Sequence, residues 1–264
     1  MDDRLLEEIL KIAAAAGRAA MEHYGVDGPV EYKEDDSPLT LADKAAHFVI
    51  VNSLQVLDPW LPVLSEESAE EEIADRKTWE DFWVVDPLDG SKEFIKQTGE
   101  FTVNIARVQG DEPVLGVVHA PVTGEFYYAS REAGAFAIRE DGSTEEILVK
   151  PADPAGLKIV ASKDHAGPQV EALLERSEGA ECVSMGSSLK FCLVAEGKAD
   201  FYPRLVPTME WDTAAAQCVL EAAGGYLVGL EGRRLSYNKD DLRNPPILAY
   251  GDDSMDWGAL LEGD

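Results

Sequence analysis

Residues 83–94 read Trp83-Val84-Val85-Asp86-Pro87-Leu88-Asp89-Gly90-Ser91-Lys92-Glu93-Phe94, and what this stretch becomes decides the architecture around it. The apolar run Phe82 to Val85 suits a buried strand. Asp86 and Asp89 follow, Gly90 permits a tight turn, and Ser91 can open a helix as N-cap or first-turn residue. A strand, two acids, a glycine and a helix start together make a place for a metal-bound phosphate. Carboxylates hold hard cations, and the free N–H groups of a helix start receive an anion. An acidic loop after a strand would use the same residues, so the rest of the chain has to decide.

Three other segments carry acids at element boundaries. Val63-Leu64-Ser65-Glu66-Glu67-Ser68 puts two directly after a short apolar piece. Glu210-Trp211-Asp212-Thr213-Ala214-Ala215-Ala216 puts Asp212 at the start of an alanine-rich helix, and Ser37-Pro38-Leu39-Thr40-Leu41-Ala42-Asp43 places Asp43 in the first turns of another. Singly, each has an ordinary explanation: a helix N-terminal acid favours the macrodipole, and a Glu-Glu pair is a solvated charge pair. Four such segments in one chain point instead to a site made of carboxylates. Oxygen ligands of this kind suit magnesium, and no histidine or cysteine cluster suggests zinc.

With these residues in view, the chain resembles the inositol monophosphatase-type phosphatases, which are magnesium-dependent and lithium-sensitive. Within them it is most similar to the bacterial 3'(2'),5'-bisphosphate nucleotidases of sulfur assimilation. The superfamily marker Asp-Pro-(Leu/Ile)-Asp-Gly-(Thr/Ser) stands at 86–91, with Ser91 where many members have threonine, and Trp-Asp-x-Ala-Ala stands at 211–215. Narrower marks are Asp-Gly-Ser-Lys-Glu-Phe-Ile-Lys (89–96), Gly-Glu-Phe-Thr-Val-Asn-Ile-Ala (99–106) and Gly-Ser-Ser-Leu-Lys-Phe-Cys-Leu-Val-Ala-Glu-Gly (186–197). The resemblance runs from the first helix to Tyr250 and implies a layered αβαβα sandwich with a metal site between two halves.

The resemblance also implies roles. Glu66, Asp86 and the Leu88 carbonyl would hold one Mg2+ ion, and Asp86, Asp89 and Asp212 a second, with Asp86 bridging; a third ion would join with substrate. The Gly90 and Ser91 amides would receive the phosphate. Asp43 and the Ser91 hydroxyl would position and activate the water, whereas Glu67 would not touch the metal. Ser187, Lys190, Arg204 and His165 match the family's nucleotide contacts; the plainer reading pairs Lys190 and Arg204 with surface acids and leaves His165 in a solvated loop. The implied reaction removes the 3'-phosphate from 3'-phosphoadenosine 5'-phosphate, giving AMP and phosphate. An inositol monophosphatase or related sugar phosphatase would share the metal site, and residues 186–204 separate the two, because a polyol phosphate needs no adenine or 5'-phosphate pocket. A non-catalytic metabolite sensor would not need Asp43.

Composition limits the alternatives. Acids outnumber Lys and Arg 51 to 23 over 264 residues, a net charge of -28. No basic stripe serves a nucleic-acid polymer; the partner that the resemblance implies is a small nucleotide bisphosphate. The acids are spread along the chain, which reads as a surface adapted to high salt, where a Debye length of about 3 Å screens self-repulsion; the plainer alternative is an acidic but mesophilic protein. No apolar run approaches membrane-spanning length. The acidic start Met1-Asp2-Asp3-Arg4 and three cysteines without metal-binding spacing (Cys182, Cys192, Cys218) predict a cytoplasmic protein with reduced thiols. The oligomeric state is not legible.

Helical spacing is expected over 4–24 and from Thr40 to Leu57, and a mobile, solvated acidic segment over 67–80. Strands are expected at 82–86, 101–108, 114–120, 125–130 and 134–138, and a boundary over 141–156. Two lobes follow: 1–150, with most metal ligands, and 151–264, with the nucleotide contacts and the last ligand. In the second, strands at 158–161, 201–202 and 225–228 alternate with helices at 169–177, 187–196 and 211–223.

Overall fold

Apolar residues recur along the first helix, α1 (Asp3–Met21), at Ile9, Ile12, Ala13, Ala16 and Ala20, and all of them are buried. They meet the equally small-residue face of α2 (Leu41–Leu57), where Ala42, Ala46, Ile50 and Leu54 are buried. Alanines on both faces let the two helices lie close. The structure is a computed structural model and describes residues 3–26, 31–32, 38–161, 167–177 and 179–262. Strands β1 (Glu31–Tyr32) and β2 (Pro38–Leu39) form a short antiparallel ribbon before α2.

The helix pair covers one face of a seven-stranded sheet. Its strands stand in chain order: β3 (Val63–Ser65), β4 (Asp81–Asp89), β5 (Thr102–Gln109), β6 (Glu112–Ala120), β7 (Glu125–Ser130), β8 (Gly134–Ile138) and β9 (Thr144–Glu146). Among the described residues only β3–β4 is a parallel pair in this sheet; the rest is an antiparallel meander. Successive side chains of β4 serve two cores, as the period of two requires. Trp83 and Val85 pack toward α1 and α2, whereas Phe82 and Val84 pack on the other face with residues of α5 (Leu189–Ala195) and α6 (Glu210–Ala222). Helix α6 lies directly on β6: a Cβ at Gly116 would overlap the Ala215 carbonyl oxygen, so only glycine admits the helix at this height.

Strands β10 (Lys158–Ala161), β11 (Glu181–Ser184), β12 (Phe201–Arg204), β14 (Tyr226–Gly229) and β16 (Ile247–Tyr250) form a second sheet in the order β11-β10-β12-β16-β14. The short β13 (Thr208–Met209) and β15 (Arg243–Asn244) pair with each other. The outer face of the second sheet packs Ile159, Phe201 and Leu248 against Leu173 of α4 (Gly167–Arg176) and Trp257 of α7 (Trp257–Glu262). The layers are α1/α2, large sheet, α5/α6, small sheet, α4/α7: an αβαβα sandwich. The central core draws on residues from Leu64 to Ala249.

Two expectations need correction. The strand expected to end at residue 86 continues to Asp89, because Asp89 still pairs with Thr102 beyond an irregularity. The segment 67–80 is not free in solvent. It contains two short 3-10 helices, Glu70–Ile73 and Arg76–Thr78; Ile73 and Trp79 pack on the central core, and Arg76 bonds to residues 238–240. Strands β9, β11, β13, β15 and β16 and helix α7, all short, were not expected from the sequence. Among the described residues no helix is long and apolar enough to cross a membrane.

Candidate active site

In a regular strand, residues three apart point to opposite faces. Asp86 and Asp89 do not, because the β4–β5 register slips between Asp86↔Asn104 and Asp89↔Thr102, setting an extra residue in β4 against β5. Pro87 lies in that slip, where its missing N–H costs no ladder bond. Asp212, in the first turn of α6, joins them: one carboxylate oxygen from each of Asp86, Asp89 and Asp212 falls within a 4.8 Å cluster. The Leu88 N–H donates to Asp86 Oδ1 at 3.0 Å, and the Met209 N–H donates to Asp212 Oδ2 at 2.8 Å. Glu66 follows β3, its N–H bonded to the Val85 carbonyl at 3.1 Å, and its carboxyl bears on that of Asp86.

Burial pushes Asp86 well above the usual carboxylate range, and the charges of Glu66, Asp89 and Asp212 push it further. Asp212 is raised in the same way, by burial and then by Asp89 and Glu66, against the Met209 N–H that favours its anion. This arrangement repels itself unless cations or protons enter it. Every donor is oxygen, so the set fits hard divalent ions such as Mg2+.

Asp43, 2% exposed, lies not in solvent but against Ser91, whose hydroxyl is also 3.5 Å from the Leu88 carbonyl. As the third residue of α2 it closes a capping box: its Oδ2 accepts from the Thr40 N–H at 2.7 Å and the Thr40 hydroxyl at 2.6 Å. Its other oxygen accepts from the Ser91 hydroxyl at 3.2 Å, across 48 positions of chain. Ser91 is the first residue of α3 (Ser91–Ile95), and Gly90 precedes it at φ +96, a left-handed conformation that favours glycine.

Asp89 is held from the far side. Its Oδ2 accepts from the Ser187 hydroxyl and the Ser188 N–H, both at 2.6 Å. Thr102 Oγ1 lies 2.6 Å from the Ser187 hydroxyl and 2.8 Å from that of Ser188, which donates to Asn104 Oδ1 at 2.9 Å. Ser187 thus faces the carboxylates as well as the cavity expected for a nucleotide.

That cavity, about 190 Å³, lies between the acids and two cations; Asp89, Gly90, Ser187, Lys190, Arg204 and Asp212 line it. Lys190 is 7% exposed and sits over the Tyr202 ring at 5.5 Å. Burial lowers its ammonium to about 8; the Asp89 charge opposes the shift and nearby Arg204 adds to it. Arg204 Nε is buried without a hydrogen-bond partner. Among the described residues neither cation is in a salt bridge, and both line the cavity. His165 lies outside the described residues. Glu67 stands in the turn after β3, its N–H directed at the Ser65 hydroxyl at 3.4 Å.

The structure therefore brings together Asp43, Glu66, Asp86, Leu88, Asp89, Gly90, Ser91, Ser187, Lys190, Arg204 and Asp212. Sequence reasoning missed Thr40, Thr102, Asn104, Ser188 and Tyr202. Thr40 was findable, since Thr-x-x-Asp is a capping-box spacing, and Ser188 is half of a Ser-Ser pair; Thr102 and Asn104 carry no local signal.

Comparison with known proteins agrees with this geometry. The model of the inositol monophosphatase family matches residues 1–255. The 3'(2'),5'-bisphosphate nucleotidase CysQ of Salmonella typhimurium is 45% identical over 91% of this chain and 97% of its own, and that of Haemophilus influenzae 36% over 99% and 98%. Among solved structures, CysQ from Bacteroides thetaiotaomicron superposes with a TM-score of 0.78 at 41% identity, covering 93% of this chain and 97% of that one. With motifs, layers and carboxylate cluster in agreement, the chain belongs to the inositol monophosphatase family.

Proposed function

We propose that the chain is a magnesium-dependent phosphatase that hydrolyses the 3'-phosphate of 3'-phosphoadenosine 5'-phosphate to AMP and phosphate. The observation that carries this reading is the division of one small cavity between a carboxylate cluster and two cations, Lys190 and Arg204, that are in no salt bridge among the described residues. The likeness to bisphosphate nucleotidases over almost the whole chain supports it.

Glu66, Asp86, Asp89, Asp212 and the Leu88 carbonyl would hold two Mg2+ ions, with a third arriving with substrate; bound there, magnesium neutralises phosphoryl oxygens and lowers the pKa of the attacking water. The chain supplies the rest. The Thr40 capping bonds fix the Asp43 carboxylate, and the Ser91 hydroxyl donates to it. With its proton committed to Asp43, the Ser91 oxygen can accept a hydrogen bond from water; as the water attacks phosphorus, Ser91 takes the water's proton and passes its own to Asp43, the bond from phosphorus to the 3'-oxygen breaks, and that oxygen takes a proton from solvent to give AMP. The Gly90 and Ser91 amides, at the start of α3, face the departing phosphoryl group. Lys190 and Arg204 hold the phosphate that is not cleaved, Arg204 through its planar donor fork. The Tyr202 ring beneath Lys190 keeps the ammonium directed at the cavity.

Free Cys182, Cys192 and Cys218 suit a reducing compartment, and we place the reaction in the cytoplasm. The excess of acids over basic residues, 51 to 23, fits a high-salt setting.

The test is phosphate release with Mg2+ from bisphosphate nucleotides, inositol phosphates and fructose bisphosphate. The bisphosphate nucleotide should lead in kcat/KM by at least roughly tenfold, the worth of one charge-assisted contact. Inositol phosphate leading instead would replace the nucleotide reading.

A further inference from the structure

Helix α6 begins on a residue that should not be free to sit where it does: Glu210 is fully buried, 0% exposed. Its carboxylate is saturated by the loop that follows β14. Oε1 accepts from Lys239 Nζ at 2.7 Å and the Lys239 N–H at 2.9 Å, and Oε2 accepts from the Asn238 N–H at 2.7 Å. The Lys239 ammonium is completed by the Ser236 carbonyl and Asn244 Oδ1, both at 3.1 Å. Asn244 in turn donates to the Met209 carbonyl at 2.7 Å. Residues 236–244 therefore grip Met209 and Glu210, three and two positions ahead of Asp212.

The same loop reaches the other lobe. Asn238, at φ +56, donates from Nδ2 to the carbonyls of Arg76 at 2.8 Å and Trp79 at 3.3 Å. Arg76 answers, Nη1 to Asn238 Oδ1 at 3.0 Å and to the Lys239 carbonyl at 2.6 Å, and Nη2 to the Asp240 carbonyl at 2.7 Å. Arg76 belongs to the segment that runs from Glu66 to β4. One strap thus joins the stretch after Glu66 to the turn bearing Asp212, although the two are supplied by different layers.

We propose that Glu210 and Asn238 are positioning residues: the 236–244 strap fixes the spacing between the Glu66 side and the Asp212 side of the carboxylate cluster, and so sets its affinity for divalent cations. This rests on the reading above that the cluster holds metal. A buried ion pair is weak grounds for stability, because desolvation offsets its attraction, but it fixes geometry when every donor and acceptor is used, as here. Residues that orient ligands without touching the ion typically govern about 10–100-fold in metal affinity.

The test uses the full chain and Mn2+ as a spectroscopic probe, with free Mn2+ measured by electron paramagnetic resonance. Glu210→Gln keeps the shape but leaves Lys239 unpaired and turns an amide toward the strap's N–H donors. Asn238→Gly removes only the side-chain bonds to the 76–79 segment and suits the positive φ. Mn2+ affinity should fall about tenfold in Glu210→Gln and about threefold in Asn238→Gly. At saturating Mg2+ the KM for the bisphosphate nucleotide should stay within about twofold of the parent and most of kcat should return, a split that general loss of structure does not give. Parental Mn2+ affinity in a folded Asn238→Gly variant overturns the proposal, and that variant decides the matter if Glu210→Gln fails to fold. A parent that binds no Mn2+ overturns both this proposal and the metal reading. A parent that binds Mn2+ but does not prefer the nucleotide overturns only the substrate assignment, and the positioning result stands.

Discussion

The acidic side of the cavity and its basic side are built by different means. Asp86, Asp89 and Asp212 are short side chains whose places are set by backbone: a slipped strand register, the first turn of a helix, and N–H donors from Leu88, Ser188 and Met209. Lys190 and Arg204 are long side chains that cross space, one over an aromatic ring and the other with a donor left unused. A backbone-set group holds a reacting centre to fractions of an ångström, which bond making and breaking requires. A long cation tolerates displacement and supplies affinity. Chemistry should therefore fail on the acidic side and recognition on the basic side.

The largest break should come from Asp212→Asn, which keeps the Met209 bond but removes one charge from the cluster. We expect kcat/KM to fall roughly a thousandfold on every substrate, with circular dichroism and thermal midpoint close to the parent. Full activity in this variant would show that α6 contributes no ligand. Asp43→Asn should be next, lowering kcat roughly a hundredfold on all substrates while leaving the KM of each in place. A loss confined to the bisphosphate nucleotide would move Asp43 to the recognition side.

Arg204→Ala sharpens the contrast. Loss of a charge-assisted contact is worth roughly 1.5–3 kcal/mol, about one to two decades in kcat/KM, taken mostly through KM for the bisphosphate. A monophosphate without the second phosphate should be hydrolysed nearly as before; equal losses on both would place Arg204 in the common phosphate site or in folding. The smallest effect is a pH dependence. Lys190 titrates near 8, so its charged form is full below that value and drains away as pH rises through it. KM for the bisphosphate should climb above pH 8, by up to about tenfold per unit, and KM for the monophosphate should stay flat. Parallel profiles for the two would remove Lys190 from recognition.

How much of this was readable beforehand follows the same division. The acids stand out because each ends or begins an element with a local signature, such as the Asp-Pro-Leu-Asp-Gly run or the Trp-Asp start of an alanine-rich helix. The fold's central strands show themselves through the apolar runs that bury both faces, as at Phe82 to Val85. The supports do not. Thr102 and Asn104 read as ordinary strand residues, and their bonds to Ser187 and Ser188 span more than 80 positions. The 67–80 segment looks solvated because its acids dominate, whereas Arg76, Ile73 and Trp79 tie it down through partners far along the chain. Short strands such as β13 and β15, two residues each, exist only because the pairing partner is there.

The raised carboxylates have a consequence for the folded chain itself. Asp86 and Asp212 bind protons more readily when folded than when unfolded. Without a bound cation, their contribution to folding is complete below the unfolded carboxylate pKa and is lost as pH climbs through their folded values. Once those protons have left, the metal-free chain carries stored repulsion at its centre, between the layers. A divalent ion that binds only the folded form releases that repulsion and shifts the folding equilibrium in its own favour. If such an ion occupies the cluster, divalent-cation concentration becomes a thermodynamic variable of the whole molecule, and depleting it lowers the stability against unfolding.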